Sequence, residues 1–294
     1  RYPDMRFYGM CHEIASLKRY LPDILGTEFD NLDLTAGGLN HFSALLEARY
    51  RDSHKDAYPD IIERAPAFFE QEPGYSDIWR ELKDNPDLAF TEGSEQRAAL
   101  SSPKCAKSWA DRGVFKLILE KFELLPVTVD SHFGEYIGWA HDAADHRGIL
   151  DFLSWYKQYL GHVQPKIELS LNERVVPIIE GIITDSGYTE AAVNLPNSGL
   201  FKELPDFVAV EIPCRIDKQG IHGQTMPALP PGFAALLRNY TGVYDLTAEA
   251  ILNKSKKLAI QAMLVNPVVN AVKEIDEMVE LMIDSQREWL GYLK

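Results

Sequence analysis

The strongest strand pattern in this chain runs from Phe207 to Ile212, which alternates and is bounded by Pro205 and Pro213. That pattern predicts a short strand, and residues 193–195 predict a second one. Most other segments carry apolar residues at the three- and four-residue spacing of a helix. We expect helices over 13–25 with a break or kink at Pro22, 56–71, 108–122, 132–160 and 231–293, the last interrupted at Asn266-Pro267.

Between these helical patterns, residues 72–107 are rich in Pro, Gly, Asp and Glu, which predicts a looping insertion. The sequence shows no internal repeat and no linker strong enough to divide it. We therefore expect residues 1–294 to form a single α+β domain, mostly helical with a small mixed or antiparallel sheet.

Composition excludes several classes of function. The formal charge of −14 opposes a phosphate backbone, so nucleic acid is not an expected partner. No apolar run approaches the roughly 20 residues of a membrane span. Three widely spaced cysteines do not form a disulfide framework, and no secretory leader follows Arg1, although a first residue other than Met suggests that something upstream has been removed. We expect a reduced, cytoplasmic setting.

A candidate metal pair consists of Cys11 and His41, which lie in the segments Cys11-His12-Glu13 and Gly38-Leu39-Asn40-His41. Thiolate and imidazole suit a divalent transition metal rather than Mg or Ca. Two protein ligands would leave coordination positions open for substrate or water. The alternative is that Cys11 is a small buried apolar residue and His41 an ordinary polar one, and spacing alone does not decide between these.

Four groups capable of proton transfer lie within seven positions, at Asp130, His132, Glu135 and Tyr136. Such density is typical of a general acid/base site. If a helix begins near Asp130, however, that residue is an ordinary N-cap, with His132 and Glu135 on one helical face. Both interpretations remain open from the residues alone.

An amide-rich turn begins at the end of the strand predicted at residues 193–195, in the segment Asn194-Leu195-Pro196-Asn197-Ser198-Gly199. Its side-chain amides could contact hydroxyl groups or a cofactor amide. The alternative is a plain turn between two strands. The next motif in the chain is Val210-Glu211-Ile212-Pro213.

Taken in order, these motifs resemble glycoside hydrolase family 4, the NAD- and metal-dependent glycosidases, over residues 7 to about 281. The resemblance implies a fold similar to the C-terminal half of lactate/malate dehydrogenase-like enzymes. It implies that Cys11 and His41 bind a divalent metal, usually Mn²⁺, and that Asp130 is the catalytic base, although other members use a Tyr. The residues expected to contact the sugar are His12, Asn40, His132 and Asn194.

The implied reaction is hydrolysis of an α-glucoside or α-uronide through NAD-dependent oxidation at C3, elimination and water addition, a route distinct from the usual pair of carboxylates. No Gly-x-Gly-x-x-Gly occurs in the sequence, so the resemblance covers a C-terminal portion and NAD must be held by an N-terminal domain outside this chain. Family members usually form dimers or tetramers. Two other functions remain open: a catalytically silent sugar-binding, metal-binding or oligomerisation fragment, and an NAD-independent metal hydrolase.

Overall fold

The computed structural model describes residues 5, 7–11, 13–71, 113–128, 130–143 and 174–294. Over these ranges the chain combines helices with one antiparallel sheet, which confirms the α+β prediction. The strands are β1 (Gly9–Met10), β2 (Leu32–Leu39), β3 (Phe42–Tyr50), β4 (Leu125–Pro126), β5 (Tyr188–Pro196), β6 (Ala209–Asp217) and β7 (Gly220–Gly223). Their order in the sheet is β1-β5-β6-β2-β3-β4, with β7 pairing with β6 beside this path.

Helices flank the sheet and form the C-terminal part of the chain. Two 3₁₀ segments cover Glu13–Arg19 and Phe29–Asn31. The α-helices are α1 (Leu21–Leu25), α2 (Tyr58–Gln71), α3 (Gly113–Phe122), α4 (Asp130–Gly134), α5 (Ala140–Ala143), α6 (Val175–Thr184), α7 (Pro231–Leu252), α8 (Lys256–Val265), α9 (Ile275–Ser285) and α10 (Arg287–Leu290). Within the described ranges, no helix combines the length and the apolar composition that crossing a membrane requires.

An aromatic cluster joins the β2–β3 hairpin to the helices α4 and α7. Phe42 begins β3 and is fully buried. Its ring stacks on Tyr136 at a centroid distance of 4.9 Å and meets Phe133, Phe233 and Tyr240 edge to face. Each such aromatic pair contributes about 0.5–1.5 kcal/mol beyond the area it buries. The cluster therefore holds α4 and α7 against the end of the hairpin, where the candidate site residues lie.

The predicted strands exist, but their bounds were wrong. The segment at 193–195 is part of the nine-residue β5, and the segment at 207–212 begins at residue 209 and continues through Pro213 to Asp217. The register of β5 against β6 shifts between Glu190 and Val193, which leaves Pro213 opposite a bulge. A proline has no N–H to donate, so a bulge accommodates it without losing a ladder hydrogen bond.

The β2–β3 hairpin and β7 were not predicted, and the helical expectations need correction. The region 13–25 is a 3₁₀ segment followed by α1, with Pro22 in the first turn of that helix. The region 132–160 begins with two short helices, α4 and α5, and its remainder lies outside the described residues, as does the predicted insertion. In the C-terminal region the interruptions fall at 253–255 and 266–274.

Candidate active site

A two-residue turn between β2 and β3 presents Asn40 and His41. Leu39 pairs with Phe42, so the two strands are joined by these residues alone. His41 has a φ of 60°, in the left-handed region that His enters more readily than branched residues do. The tight turn thereby fixes the backbone from which the imidazole projects, and Asn40 is exposed.

A row of directly paired residues crosses five strands beside this turn. Gly9 of β1 pairs with Asn194 of β5, Asn194 with Glu211 of β6, Glu211 with Gly38 of β2, and Gly38 with Ser43 of β3. Residues directly opposite one another project from the same face of a sheet. The polar side chains of this row therefore share one face, and all three are buried.

Glu211 is the centre of this row. Its carboxyl group is only 2% exposed and accepts hydrogen bonds from Ser43 Oγ at 3.0 Å and from Asn194 Nδ2 at 3.4 Å. Ser43 lies two strands away, so its hydroxyl must reach across β2. A β-carbon at position 38 would lie 2.5 Å from the carbonyl oxygen of Phe42 and 2.8 Å from the Cα of Ser43, so β3 could not approach β2 this closely. Glycine at position 38 is therefore what the crossing contact requires.

Asn194 connects the row to the hairpin turn. Its Nδ2 donates to Asn40 Oδ1 at 3.2 Å as well as to Glu211. Its Oδ1 is buried and has no hydrogen-bond partner among the described residues. On the other side β1 passes so close that a β-carbon on Gly9 would lie 2.9 Å from the β-carbon of Asn194. Burying an acceptor such as Asn194 Oδ1 costs about 1–3 kcal/mol unless a hydrogen-bond donor pairs with it.

The β2–β3 turn is covered by His132 of α4 and by Glu135 and Tyr136, which directly follow that helix. The imidazole rings of His41 and His132 lie 4.7 Å apart between centroids. His132 Nδ1 is 3.8 Å from a carboxylate oxygen of Glu135, in agreement with the predicted shared face. The Tyr136 hydroxyl donates to the backbone oxygen of Asn40 at 3.2 Å. Burial, with Tyr244 and Glu135 nearby, raises the pKa of Tyr136 above its ordinary value, so the phenol stays protonated at neutral pH.

Cys11 approaches the site from the strand at the opposite end of the row. It follows β1, two residues after Gly9, and is 8% exposed. A thiolate and the imidazole of His41 are donors that suit a divalent transition metal, so the donor chemistry fits such an ion. No group of three or more His, Cys, Asp or Glu able to hold a metal occurs among the residues that the structure describes. The metal pair stays a prediction.

The other predicted residues divide into three groups. Asn40 and Asn194 are brought together by a direct hydrogen bond, and His132 is brought to His41 by a ring contact. His12 and the side chain of Asp130 lie outside the described residues. The motif Val210-Glu211-Ile212-Pro213 predicts no role for Glu211 by itself, although an acid within an otherwise apolar predicted strand is a usable signal.

Cys11 and His41 have the donor chemistry for a metal, but the chain lacks the sequence motif that usually binds the pyrophosphate of NAD. A dinucleotide site needs a glycine-rich turn whose backbone approaches the pyrophosphate at the start of a helix. The sequence contains one pair of adjacent glycines, Gly37-Gly38, and both lie inside β2 rather than before a helix. We therefore assign no NAD contact to the residues of this chain.

Comparison with known proteins gives a consistent result. A family model described as the family 4 glycosyl hydrolase C-terminal domain matches residues 36–269, well over half of the chain. The chain is 58% identical over its full length to an alpha-glucosidase of Erwinia rhapontici, of which it covers 65%. It is 26% identical over its full length to an alpha-galactosidase of Bacillus subtilis strain 168, of which it covers 63%.

A solved structure with the same fold is that of a 6-phospho-beta glucosidase from Thermotoga maritima with manganese, NAD+ and glucose-6-phosphate. The TM-score is 0.62 at 18% identity, over 98% of this chain and 61% of that protein. At that identity the likeness establishes the fold. The chain spans less than two thirds of the length of each of these relatives.

Proposed function

The chain belongs to the family 4 glycosyl hydrolases through their C-terminal domain, and from this premise we propose that it is the sugar- and metal-binding half of an α-glycosidase. The favoured substrate is an α-glucoside, because the relative that is 58% identical is an alpha-glucosidase. An α-uronide is the alternative substrate, and one relative of lower identity is an alpha-galacturonidase. In this proposal residues 1–294 act as one domain, and the NAD-binding domain lies outside them.

The proposed route is oxidation at C3, elimination across C1 and C2, water addition and reduction back at C3. A bound NAD would accept the hydride from C3 and return it, and a bound divalent metal, Mn²⁺ by preference, would supply Lewis acidity. In our proposal Cys11 and His41 hold the metal, while His12, Asn40, His132 and Asn194 contact the sugar. The observation that most supports a polar ligand here is the buried Oδ1 of Asn194, which has no hydrogen-bond partner in the described part of the chain and lies beside the exposed Asn40.

We assign the removal of the C2 proton to Asp130. Tyr136 is the other candidate base, since its hydroxyl lies beside the same turn. That hydroxyl already donates to the backbone oxygen of Asn40, and burial disfavours the phenolate that a base would need to be. A carboxylate is ionised at neutral pH without such assistance.

The test uses the intact protein under reducing conditions, which match the cytoplasmic location that we propose. Release of nitrophenol from α-glucosides, α-galactosides and α-galacturonides is followed with and without Mn²⁺ and NAD. We expect turnover of the α-glucoside only when both are present, with solvent deuterium entering C2 of the product. Turnover without NAD would instead favour a metal hydrolase, and sugar binding without turnover would favour a silent binding module.

Cysteine variants separate the metal assignment from general damage. Cys11→Ser should lower Mn²⁺ affinity and activity by about a hundredfold or more, because loss of a ligand should cost at least as much as loss of a residue that orients a ligand, which costs about 10–100-fold. The matched control is Cys214→Ser, because Cys214, like Cys11, is a buried cysteine that forms no disulfide among the described residues. Burial raises the pKa of the Cys214 thiol to about 12, so it is not a thiolate and should not bind metal. Equal metal binding in wild type and Cys11→Ser would refute the assignment.

We also propose that the protein forms a dimer or tetramer through its C-terminal helices. Trp289 is 69% exposed in α10, and Leu281 of α9 is equally exposed. Large apolar side chains at such positions are typical of an interface rather than of a solvated surface. Leu281→Glu should shift the sedimentation of the intact protein towards the monomer, whereas the surface change Glu277→Gln should not.

A further inference from the structure

We propose that Glu211 is a positioning residue, which orients the side chain of Asn194 and, through it, that of Asn40, so that the exposed Asn40 presents its Nδ2 as a donor to the sugar. This inference rests on the proposed sugar-binding role of the site. It assigns a function to a buried carboxyl group that does not itself reach the turn.

The direction of the hydrogen bonds follows from the chemistry of the groups. A side-chain amide has a donor end and an acceptor end, and only its surroundings determine which end faces which neighbour. Two neighbouring amides such as Asn194 and Asn40 could hydrogen bond in either sense. Both oxygens of Glu211 accept, from Ser43 and from Asn194, so the Nδ2 end of Asn194 must face the carboxyl group.

Once Asn194 is oriented, Asn40 has no choice of orientation. The same Nδ2 of Asn194 donates to Asn40 at 3.2 Å, so the atom of Asn40 that faces Asn194 is its Oδ1. The Nδ2 of Asn40 is then the end turned away from the buried network, on an exposed residue. The acceptor Oδ1 of Asn194 is likewise fixed on the side away from Glu211, where it is unpaired among the described residues.

Position 211 is well suited to this task because the carboxyl group is itself immobilised. Glu211 is 2% exposed, and its other oxygen is held by Ser43 across the glycine at position 38. If the carboxyl group of Glu211 could rotate freely, it would not favour one orientation of the Asn194 amide over the other. The buried carboxyl group thus sets the donor and acceptor pattern of two residues that lie closer to solvent.

The central test compares Glu211→Met with Glu211→Gln. Met has a similar volume but no carboxyl oxygen to accept a hydrogen bond. The side-chain amides of Asn194 and Asn40 can then rotate, so that neither has a fixed orientation of its oxygen and nitrogen. Gln can keep its oxygen towards Asn194, because Ser43 Oγ can accept from the Gln amide instead of donating. In the intact protein with Mn²⁺ and NAD, we expect Glu211→Met to weaken binding of methyl α-glucoside by about tenfold or more and Glu211→Gln by less than about threefold, as loss of one or two oriented hydrogen bonds implies.

A second measurement makes the inference independent of sugar binding. In protein labelled with ¹⁵N at asparagine, the Asn194 side-chain protons should exchange slowly with solvent in wild type and Glu211→Gln, and rapidly in Glu211→Met. The resonance is assigned by its loss in Asn194→Ser. The matched control is Val210→Ala, a cavity in the adjacent buried position of the same strand, which should lower stability but leave the exchange and the affinity unchanged.

Each outcome decides the question. Unchanged Asn194 exchange in Glu211→Met, or an equally large loss of order in Glu211→Gln, overturns the positioning role. Lost amide order with unchanged sugar affinity overturns the link from Asn194 to the sugar. If wild-type protein binds no methyl α-glucoside, the proposed function fails, and the exchange measurement alone still decides whether Glu211 orients Asn194.

Discussion

Glu190 and Glu211 are two buried carboxyl groups on neighbouring strands of one sheet, yet they are stabilised in different ways. Glu190, on β5, is 6% exposed, and both of its oxygens accept from Arg174 Nε, at 3.1 and 2.9 Å. The Tyr188 hydroxyl donates to it as well. Glu211, on β6, accepts from the hydroxyl of Ser43 and the amide of Asn194.

A buried carboxyl group can join two elements of the fold or can link a strand to a candidate site, and the partners of these two residues differ in this respect. Arg174 precedes α6, so its ion pair with Glu190 attaches that helix to the sheet. The hydrogen bonds of Glu211 continue instead through Asn194 to the β2–β3 turn. Burying a carboxyl group costs free energy in either case. The cation of Arg174 offsets part of that cost at Glu190, and the Ser43 hydroxyl and the Asn194 amide offset part of it at Glu211.

The largest effect should come from placing a side chain in the Glu211 row. In Gly38→Ala, the new β-carbon would lie 2.5 Å from a backbone oxygen and 2.8 Å from the Cα of Ser43, so β2 and β3 must separate. We expect the free energy of unfolding to fall by about 3 kcal/mol, measured by urea denaturation. The control is Gly242→Ala in α7, where nothing lies within 4 Å and a gain of about 0.5–1 kcal/mol is expected. Similar losses in both variants would contradict the crowding argument.

Breaking the Glu190 ion pair should affect stability but not the site. Arg174→Met removes the cation from a carboxylate that stays buried. Because Arg174 is itself well exposed and solvent screens it, we expect a loss of about 1–3 kcal/mol rather than the full cost of a buried pair. Lys218→Met, which removes the exposed ion pair with Asp185, is the control and should cost about 0.5 kcal/mol or less. A large change in sugar affinity in Arg174→Met would show that the two carboxyl groups are not separate in function.

A smaller effect is expected at the cover of the hairpin turn. Tyr136→Phe removes the hydrogen bond to Asn40 but retains the ring that stacks on Phe42. The expected loss of stability is about 1 kcal/mol, with kcat/KM lowered by less than about tenfold. A loss of about a thousandfold would fall within the range of general-base removal and would identify Tyr136, not Asp130, as the base.

The smallest effect concerns Asp217, a partly buried carboxylate at the end of β6. A hydrogen bond from the Gln219 backbone and contact with His222 lower the pKa of Asp217. A lowered folded-state pKa means that the stabilisation is present above the unfolded pKa and is lost as the pH falls through the folded value. Asp217→Asn should therefore melt slightly below wild type at pH 6, and the gap should close at strongly acid pH. A gap that widens on acidification would contradict this sign.

The sequence predicted the family better than the fold's details. The order of four motifs from Cys11 to Glu211 indicated the family, and the family model confirms it. The β2–β3 hairpin was missed because its alternation, Leu32 and Leu34 followed by apolar runs, is interrupted by the pair Gly37-Gly38. These glycines allow the neighbouring strands and side chains to approach β2 closely. Such contacts depend on the tertiary structure, so the local sequence does not predict them.

The site could be predicted only in part, because motifs reveal residue types but do not reveal how strands pair. Asn40 and Asn194 were recognised as amides able to contact a ligand, and their hydrogen bond joins residues 154 positions apart. The role of Glu211 depends on register, because Asn194, Gly38 and Ser43 face it only through pairings between four strands. A single residue's slip would turn each side chain to the other face, so composition and motif cannot reveal the row.

The most direct test of the account is the position of the metal in crystals of the intact protein grown with Mn²⁺, located by anomalous scattering at the manganese edge. We predict one strong peak bonded to Cys11 Sγ and to the imidazole of His41, beside Asn40 and Asn194. A peak held by other residues, or the same peak in Cys11→Ser, would contradict it.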